Sequence, residues 1–347
     1  MRVLVAMSGG VDSSVAAARM VEEGHEVIGV TLKLWSGPNG EMPTAGCCTV
    51  SDAEDARRVA AQLDIPYYVL DYTEDFSRGV IDGFVTDYLS GRTPNPCVEC
   101  NRTVKFSRLL SQSAEFGCAV VATGHYARVT HTDGRYRLAR GVDRRKDQSY
   151  VLSMLTQEEL ARTRFPVGDL DKSQVRAIAA RLGLRTASKP ESMDICFVGR
   201  RDYRTFLRGQ APEAVEPGVL VTVGGEQVGT HDGVAGFTVG QRRGLGVAFG
   251  EPRYVVGVDA DTRTVTIGRK EDLAVDEIAV ERVTWVDDPL APGATTTVQY
   301  RAHGDAVSAV WVGDGTVRFD EPQYAVAPGQ TAAFYAGDRV VGSSIVA

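Results

Sequence analysis

The stretch that decides the fold is Arg2-Val3-Leu4-Val5-Ala6-Met7-Ser8-Gly9-Gly10-Val11-Asp12-Ser13-Ser14, at the start of a 347-residue chain. Its first five residues form a short apolar run, which predicts a buried strand. Two glycines then mark a turn, and a helix is predicted over about 13–23, with Gly24 as its stop. A strand, a glycine turn and a helix in this order gather backbone N–H groups around one point, and such a cradle binds phosphate.

The chemistry of this loop differs from that of a Walker loop. Ser8, Ser13 and Ser14 offer hydroxyl donors, and Asp12 could hold Mg²⁺ near a triphosphate. The Gly-Lys-Ser/Thr ending is absent, so the loop carries no lysine for the β- and γ-phosphates. The alternative is a glycine turn that merely starts a helix. The order of strand, motif and helix favours the phosphate loop.

Strand and helix signals alternate outward from this loop. We predict strands at 26–33, 67–70 and 119–122 and helices at 105–116 and 172–182. A capping box at Ser51-Asp52-Ala53-Glu54 predicts a further helix that ends near Leu63. Strands separated by helices predict a parallel sheet covered on both faces. A hairpin over 128–140 should turn at Asp133-Gly134, and mobile loops are expected at 38–51 and 91–101.

The composition changes near residues 212–218. The remainder is rich in Val, Thr and Gly, and its short strands, among them 218–223, 254–258, 264–267, 295–300 and 306–312, suggest a barrel or a small sandwich. A second boundary is plausible near 271–277. We therefore predict an α/β unit over 1–205, a small central β-rich unit over 206–273 and a C-terminal β-barrel over 274–347.

Composition and charge limit the class of protein. The chain is 43% hydrophobic and has a formal net charge of -7, which disfavours a nucleic-acid coating protein and a polybasic membrane-surface protein. We found no apolar run of the roughly 18 residues that span a bilayer. The N-terminal apolar run lacks the length and cleavage pattern of a signal peptide. We therefore expect a cytoplasmic protein without a membrane partner.

The six cysteines pose a second chemical question. They are Cys47, Cys48, Cys97, Cys100, Cys118 and Cys196, and in a large cytosolic chain such cysteines indicate catalysis or metal binding before disulfides. Two residues separate Cys97 from Cys100, and both follow a loop stiffened by Pro94 and Pro96. Thiols beside a loop for ATP suggest sulfur transfer, because adenylation makes a carbonyl oxygen a leaving group that a sulfur nucleophile can displace.

With these motifs the chain resembles the bacterial tRNA-specific 2-thiouridylases, members of the N-type ATP pyrophosphatase superfamily, over essentially its full length. The matching segments are 8–14, 91–101 with Lys105-Phe106, 122–126, 146–150, 191–199, 236–242 and 300–301. The resemblance implies an adenine-nucleotide alpha hydrolase-like first unit. It also implies ATP-dependent 2-thiolation of the wobble uridine in tRNAs for Lys, Glu and Gln.

The resemblance also assigns residues by position. ATP and Mg²⁺ would be held through Ala6, Met7, Ser8, Gly9, Gly10, Val11, Asp12, Ser13, Leu32 and Gly124. Cys196 would carry the sulfur as a persulfide from a cysteine desulfurase or sulfur-relay protein, and Cys100 would be the second catalytic cysteine. Contacts with the tRNA anticodon stem-loop would come from Asn95, Pro96, Cys97, His125, Lys146, Asp147, Gln148, Tyr300, Arg301 and Gln330. Without a ligand role, Leu32 would be a buried strand residue and His125 a histidine whose hydrogen bonds serve only the structure.

One position departs from the family pattern and leaves alternatives open. Many relatives carry Asp where this chain has Cys97, and a thiol is a weaker acid–base group. Cys97, Cys100 and Cys196 could instead hold three irons of a [4Fe-4S] cluster. A structural zinc is less favoured, since no fourth ligand is evident. A small-molecule ATP pyrophosphatase ligase and a noncatalytic RNA-binding or iron–sulfur carrier protein are the competing functions. Cys118 is expected to be buried, and Cys47 and Cys48 to pack in their loop or to be secondary reactive thiols.

The net charge of the chain averages over opposed segments. Residues 135–146 carry a net charge of +5 and residues 271–288 a net charge of -6. Charge runs are usually solvated faces. The coincidence of the basic run with the Lys146-Asp147-Gln148 motif favours a basic face for RNA on an otherwise acidic protein.

Overall fold

The computed structural model describes residues 1–36, 49–190, 195–198 and 202–347. Its strands are β1 Arg2–Ala6, β2 Glu26–Lys33, β3 Tyr67–Asp71, β4 Val120–Thr123, β5 Ala127–Thr132, β6 Arg135–Arg140, β7 Thr163–Arg164, β8 Gly218–Thr222, β9 Gln227–His231, β10 Tyr254–Asp259, β11 Thr264–Gly268, β12 Ala274–Trp285, β13 Ala294–Gln299, β14 Val307–Gly313, β15 Thr316–Tyr324, β16 Thr331–Ala336 and β17 Arg339–Val346.

The α-helices are α1 Val11–Glu22, α2 Val50–Gln62, α3 Thr73–Phe76, α4 Asp82–Leu89, α5 Pro96–Cys100, α6 Leu109–Ser113, α7 Gln157–Ala161, α8 Lys172–Arg181 and α9 Tyr203–Gln210. Two π-helical segments, Ser77–Ile81 and Asn101–Arg108, join α3 to α4 and α5 to α6 without a break. Short 3₁₀ turns occupy Tyr150–Leu152, Arg185–Ser188, Pro212–Val215, Val234–Gly236 and Glu271–Leu273. No helix within the described ranges is long and apolar enough to cross a bilayer.

The predicted parallel sheet is confirmed, with the strand order β3-β2-β1-β4-β7. Alternate residues of β1 face opposite sides, as strand geometry requires. Val3 and Val5 pack with α1, α2 and α8, whereas Leu4 belongs to a second cluster that includes Phe84 and Phe106. Helical layers therefore cover both faces of the sheet, and the carboxyl ends of β1, β2 and β4 meet at one edge.

Two local predictions are wrong. The capping box of α2 uses Thr49 and Asp52 rather than the predicted Ser51 and Glu54: Thr49 Oγ1 accepts from the Asp52 N–H at 3.1 Å, and Asp52 accepts from the Thr49 N–H at 2.9 Å. The predicted loop over 91–101 contains α5, because Asn95 caps its N–H groups and Pro96 starts it. The helix predicted at 105–116 thus begins nine residues earlier and ends at Ser113. The predicted loop over 38–51 lies outside the described residues up to 48.

The central unit is a four-stranded sheet in the order β10-β11-β8-β9, with β8 and β11 parallel and the other pairs antiparallel. It has its own apolar cluster, centred on Leu220, Val255 and Val265. The C-terminal strands close a six-stranded barrel in the order β12-β15-β14-β13-β16-β17, because β12 also pairs with β17. The predicted C-terminal barrel is confirmed.

The predicted hairpin of β5 and β6 extends this barrel sheet. It turns at Asp133-Gly134, both with positive φ, as the favoured two-residue turns require. β6 pairs with β17 at Ala139 and Arg339, and the Arg140 guanidinium lies 3.8 Å from the centre of the Tyr335 ring. A hairpin of the first unit and the last strand of the chain thus belong to one sheet.

The segment before α5 is held by both β-rich units. The Thr93 N–H donates to the Pro328 carbonyl at 2.7 Å, and Gln330 Nε2 donates to the Thr93 carbonyl at 2.6 Å. Arg92 pairs with Glu281 at 2.6 Å. The Thr93 and Thr238 hydroxyls lie 3.2 Å apart. The position of the cysteine helix therefore depends on the barrel and on the central unit.

Candidate active site

The glycine loop joins β1 to α1 at the carboxyl edge of the parallel sheet. Ser13 Oγ accepts from the Ser8 N–H at 3.1 Å, and the Ser14 hydroxyl donates to the Gly10 carbonyl at 2.8 Å. Gly9 has φ +70, and a Cβ there would lie 2.1 Å from the Asp52 carbonyl oxygen. Glycine is therefore required, both for the left-handed turn and for the close approach to α2.

The residues expected around adenine share this edge. Ala6 ends β1, Leu32 lies next to the last residue of β2, and Gly124 follows β4. A Cβ on Gly124 would lie 2.6 Å from the backbone nitrogen of Ser13, so the turn after β4 is in backbone contact with α1. Leu32 is buried in the core. Ligands of open α/β sheets bind outside such an edge, and the ten residues expected for ATP come from these three adjacent strands and the glycine loop.

A lysine that we had not predicted faces the loop. Lys172 Nζ, at the start of α8, lies 2.8 Å from both carboxylate oxygens of Asp12, and the Tyr126 hydroxyl donates to Asp12 Oδ1 at 2.7 Å. The carboxylate expected to hold Mg²⁺ is therefore engaged by an ammonium group and a phenol. The loop lacks its own lysine, and Lys172 places one beside it.

A second lysine, Lys189, binds the backbone of the loop and two carboxylates of α2. Lys189 Nζ donates to the Gly9 carbonyl at 3.0 Å and to Asp52 and Asp55 at 2.7 Å each. Burial acts to raise the pKa of Asp52, but hydrogen bonds from Lys189 and Thr49 hold it below its usual range. Asp52 is thus ionised at neutral pH and anchors the lysine. Neither lysine belongs to a motif identified in the sequence. Lys172 begins the helix predicted at 172–182, and Lys189 precedes the matched segment 191–199.

The cysteine helix presents its two thiols differently. The Asn95 side chain accepts from the N–H groups of Cys97 and Val98 at 3.1 and 3.4 Å, and buried Pro96 occupies the first turn of α5. Cys97 reaches solvent, whereas Cys100 is buried in the core. Protein atoms surround Cys97 despite its exposure, so desolvation raises the pKa of its thiol and outweighs the opposing effect of Lys105. At neutral pH Cys97 is a thiol rather than a thiolate.

Cys196 is half-buried and packs against the same hydrophobic cluster that contains Cys100. Its neighbour Phe197 packs edge-on against Phe76 and Phe84, with ring centres 5.7 and 5.1 Å apart. Cys118 is buried as predicted. Cys47 and Cys48 lie outside the described residues.

The three cysteines considered for an iron–sulfur cluster are all described. No group of three His, Cys, Asp or Glu side chains within the described part of the chain could hold a metal ion. The arrangement of Cys97, Cys100 and Cys196 therefore does not fit a three-cysteine cluster.

Several residues expected to contact RNA make intramolecular contacts. Asp147 accepts from Arg140 at 2.7 Å, from the Gly141 N–H at 2.9 Å and from Ser149, and Gln148 Oε1 accepts from the Tyr126 N–H at 3.0 Å. These two residues thus brace the hairpin and the turn after β4. Lys146, the third member of this motif, is half-buried.

His125 is held by Thr123, whose hydroxyl lies 2.7 Å from Nδ1. Burial lowers the pKa of His125 to about 3, and Lys105 acts in the same direction. The imidazole is therefore neutral near pH 7. It supplies hydrogen bonding or stacking but no charge.

The C-terminal candidates lie in and beside the barrel. Tyr300 is buried and donates to Gln323 Oε1 at 3.0 Å, and the Arg301 guanidinium donates to the Tyr300 hydroxyl at 3.1 Å. Arg301 is exposed. Gln330, as described above, donates to Thr93. Tyr300 and Gln330 are thus positioned to support the exposed Arg301 and the cysteine segment respectively.

The predicted basic face is largely neutralised by ion pairs. Arg135 lies 3.6 Å from Asp287 and 3.3 Å from Asp288, so the basic and acidic segments meet. Arg140 pairs with Asp147, and Arg144 with Asp338. Residues 135–146 therefore do not form a simple basic surface, because carboxylates from other parts of the chain pair with several of their arginines.

The comparisons with known proteins agree along the whole chain. Family models match in three consecutive segments: a tRNA methyl transferase HUP domain over residues 1–200, a tRNA methyl transferase PRC-barrel domain over 204–269 and an aminomethyltransferase beta-barrel domain over 275–346.

Curated relatives named tRNA-specific 2-thiouridylase MnmA are similar throughout. The one from Roseiflexus sp. (strain RS-1) is 47% identical over 370 residues, which cover 100% of this chain and 99% of the relative. The one from Chloroflexus aggregans is 50% identical over 353 residues, or 99% and 98% of the two chains. For Geobacter metallireducens the identity is 49%, over 98% and 95%. With such identity across both full lengths, the chain belongs to the tRNA-specific 2-thiouridylase family.

Proposed function

We propose that the protein replaces the C2 oxygen of uridine 34 in tRNA with sulfur, at the expense of ATP. The observation that carries this proposal is the presence, in one α/β unit, of a phosphate loop at the carboxyl edge of the sheet and of two cysteines, Cys100 and Cys196, that share one apolar cluster. A phosphate loop alone fits any ATP pyrophosphatase. The cysteine pair supplies the sulfur chemistry that a ligase for small molecules does not need.

The first step activates the uridine. The C2 oxygen attacks the α-phosphate of ATP, pyrophosphate leaves, and the base carries AMP on that oxygen. The N–H groups of the glycine loop and the N-terminus of α1 stabilise the phosphates. Lys172 adds a positive charge where charge develops on the leaving pyrophosphate. Asp12 is the residue that would face a Mg²⁺ ion bound with the nucleotide, and such an ion would neutralise part of the phosphate charge.

The second step transfers sulfur. A cysteine desulfurase or sulfur-relay protein leaves Cys196 as a persulfide, whose terminal sulfur attacks C2 and expels AMP. The Cys100 thiolate then attacks the Cys196 sulfur, which releases 2-thiouridine and leaves a Cys100–Cys196 disulfide. A thiol reductant restores both cysteines. The disulfide requires the two Cα atoms to come within roughly 7 Å.

The remaining units bind the RNA. We propose that residues 206–273 and 274–347 hold the anticodon stem-loop against the first unit, over 1–205, and that the reaction takes place in the cytoplasm. Arg301 is exposed for phosphate contact or stacking. Asn95 and Pro96 directly precede Cys97, about one turn before Cys100, and we propose that they contact the target base. Lys146 and His125 complete the proposed RNA contacts on the first unit.

The cysteine roles are tested by single substitutions. We expect Cys100→Ser and Cys196→Ser to lower 2-thiouridine formation at least about 10²-fold, because a hydroxyl neither carries nor resolves a persulfide. Both variants should still release pyrophosphate when tRNA is present. The assay digests the tRNA after incubation with ATP and a sulfur donor and quantifies the nucleosides by mass spectrometry. Cys118→Ala is the control and should thiolate normally. Normal thiolation by either serine variant would contradict the cysteine roles.

Three further measurements separate the competing functions. Cys97→Ser should retain thiolation, whereas a cluster bound by three cysteines would lose both iron and activity in anaerobically purified protein. A small-molecule ligase would exchange pyrophosphate into ATP without tRNA. A noncatalytic carrier would form no AMP with tRNA present.

A further inference from the structure

A cavity of about 230 Å³ lies between α9 and the turns of the central unit, away from the glycine loop. Two arginines one helical turn apart, Arg204 and Arg208, line it from α9, and Asp232 contributes the carboxylate on its wall. His231 also lines it, but its Nδ1 accepts from the Gly233 N–H at 3.0 Å and its Nε2 lies 3.2 Å from the Arg263 carbonyl. Burial lowers the pKa of His231, so the arginines supply the positive charge.

Among the described residues, neither Arg204 nor Arg208 forms an ion pair, although the Asp232 carboxylate lines the same cavity. Other arginines of the central unit are paired: Arg253 lies 2.6 Å and Arg269 3.3 Å from Glu251, and Arg263 lies 3.2 Å from Glu216. Across the described ranges, no carboxylate lies within salt-bridge distance of Arg204 or Arg208, or of their neighbours on the loop that follows β9, Arg242 and Arg243.

Arg204 also has an unused hydrogen-bond donor. Its Nε is buried and, among the described residues, has no hydrogen-bond partner. The other arginines with such a buried Nε each have a carboxylate within salt-bridge distance; these are Arg135, Arg137, Arg253 and Arg339. A buried donor left unsatisfied costs free energy. Arg204 is therefore the one guanidinium of this set that lacks both kinds of partner.

Gly236 and Gly244 lie beside this guanidinium. A Cβ on Gly236 would lie 3.5 Å from Arg204 Nε, and a Cβ on Gly244 would lie 3.7 Å from its terminal nitrogen. On the opposite side of α9, the Phe206 ring packs 5.0 Å from the Phe197 ring, centre to centre. The cavity is thus built onto a helix that contacts the segment of Cys196.

We propose that this cavity binds a backbone phosphate of the RNA substrate, with Arg204 and Arg208 as its ligands. The inference rests on the proposed tRNA thiolation. A guanidinium offers a planar fork of N–H donors that matches two phosphate oxygens. Bound through the terminal nitrogens of the two guanidinium groups, a phosphate compensates both positive charges. Seated on α9, it fixes the RNA relative to the segment that carries the sulfur.

The test measures tRNA affinity as a function of salt. Each phosphate contact removed lowers the slope of log K against log salt by about one. Arg204→Gln and Arg208→Gln should each show this loss, and the gap to the unmodified protein should shrink about fourfold between ~50 and ~200 mM salt. Arg204→Lys keeps the charge, so it should keep the slope while binding more weakly at every salt concentration.

The controls separate this inference from the function on which it rests. Arg269→Gln removes the same charge from an ion pair in the same unit and should leave the slope unchanged. ATP binding without tRNA should be equal in all variants, and Arg208, which is exposed, provides a second test should Arg204→Gln fold poorly. If the unmodified protein thiolates tRNA but Arg204→Gln and Arg208→Gln keep its slope, or match Arg269→Gln, the phosphate site is wrong and the function stands. If the unmodified protein does not bind tRNA, both are wrong.

Discussion

Lys172 and Lys189 contribute to the glycine loop from the far end of the first unit. Lys172 contacts the Asp12 carboxylate, and Lys189 contacts the Gly9 carbonyl and two carboxylates of α2. The first brings a positive charge to the loop that we propose binds phosphate. The second donates to the Gly9 carbonyl and forms ion pairs with Asp52 and Asp55. The loop therefore works with cations that its own sequence lacks.

Substitution of Lys172 tests this arrangement. We expect Lys172→Met to lower the rate of tRNA-dependent pyrophosphate release about 10²-fold, the effect of removing one preorganised electrostatic group from a developing charge. Lys172→Arg should retain part of the rate, since the charge remains. Pyrophosphate release is followed by a coupled assay, with the exposed Lys270→Met as control. Equal rates for Lys172→Met and Lys270→Met would show that Lys172 plays no part in the reaction.

Sequence reasoning finds the loop but not its lysines. The Ser8–Ser14 motif is local, so its chemistry can be interpreted from neighbouring residues. Lys172 lies 160 residues from Asp12, and only the order of the strands brings the two together. The same limit explains Asp147 and Gln148: the motif marks them as important, but only the structure shows that they brace backbone N–H groups.

At the scale of elements, the turn after β4 packs against α1 at the edge of the sheet where we propose that ATP binds. A Cβ on Gly124 would lie 2.6 Å from the Ser13 nitrogen and 2.7 Å from the Asp12 carbonyl carbon. Both neighbours are backbone atoms of the first helical turn, which cannot rotate away as a side chain can. The glycine is thus needed for close packing, not for an unusual φ.

A matched pair of glycine substitutions follows from this contact. Gly124→Ala should lower the free energy of unfolding by about 1–3 kcal/mol, the usual cost of forcing an extra methyl into a packed site, and should weaken ATP binding. Gly83, in α4, is exposed, and a Cβ there meets nothing within 4 Å. Gly83→Ala should therefore raise the free energy of unfolding by about 0.5–1 kcal/mol. Urea denaturation measures both, and a stabilising Gly124→Ala would contradict the close contact.

The strands are the most predictable elements. The bounds predicted for β1 and β2 are those of the structure, because continuous apolar runs bounded by glycine have few other interpretations. The two prolines of segment 91–101 suggest an extended loop, but the structure has the helix α5 there. Pro96 in fact stands where proline is tolerated in a helix, at its first position, directly after the Asn95 cap.

At the scale of the molecule, the first and third units share one apolar cluster. It joins Leu4 and Phe84 of the first unit to Tyr335 and Val340 of the barrel. The central unit contributes Leu207, Ala214 and Ala235 to this cluster and has a second cluster of its own around Leu220. Ion pairs between residues 135–144 and Asp287, Asp288 and Asp338 cross the same junction. The first unit and the barrel are therefore expected to unfold together.

Two probes placed on different units test this coupling. In Trp35→Phe the remaining tryptophans, Trp285 and Trp311, report on the barrel, and pulsed thiol labelling of buried Cys118 reports on the first unit. We expect both signals to change at one urea concentration, as coincident transitions indicate cooperative unfolding. Midpoints that differ by more than the experimental error would show that the shared cluster does not couple the two units.

The sequence predicts the hairpin and the barrel but not their union. The Asp133-Gly134 turn and the alternating strands are local signals, whereas the partner of β6 is a strand 200 residues later in the chain. Charge was misleading for the same reason. The segments of net charge +5 and -6 are far apart in the sequence and therefore suggest separate surfaces. The fold brings their ends together.

The pairing of β6 with the last strand has a consequence for the synthesis of the protein. A ribosome adds about 5–20 residues per second, so roughly 10–40 s pass between the emergence of β6 and that of β17. During that interval the nascent first unit exposes the edge of β6 and the apolar residues that Tyr335 and Val340 later cover. Unpaired edges of this kind invite association with other chains. The sheet that joins the first unit to the barrel is therefore completed only after β17 has emerged.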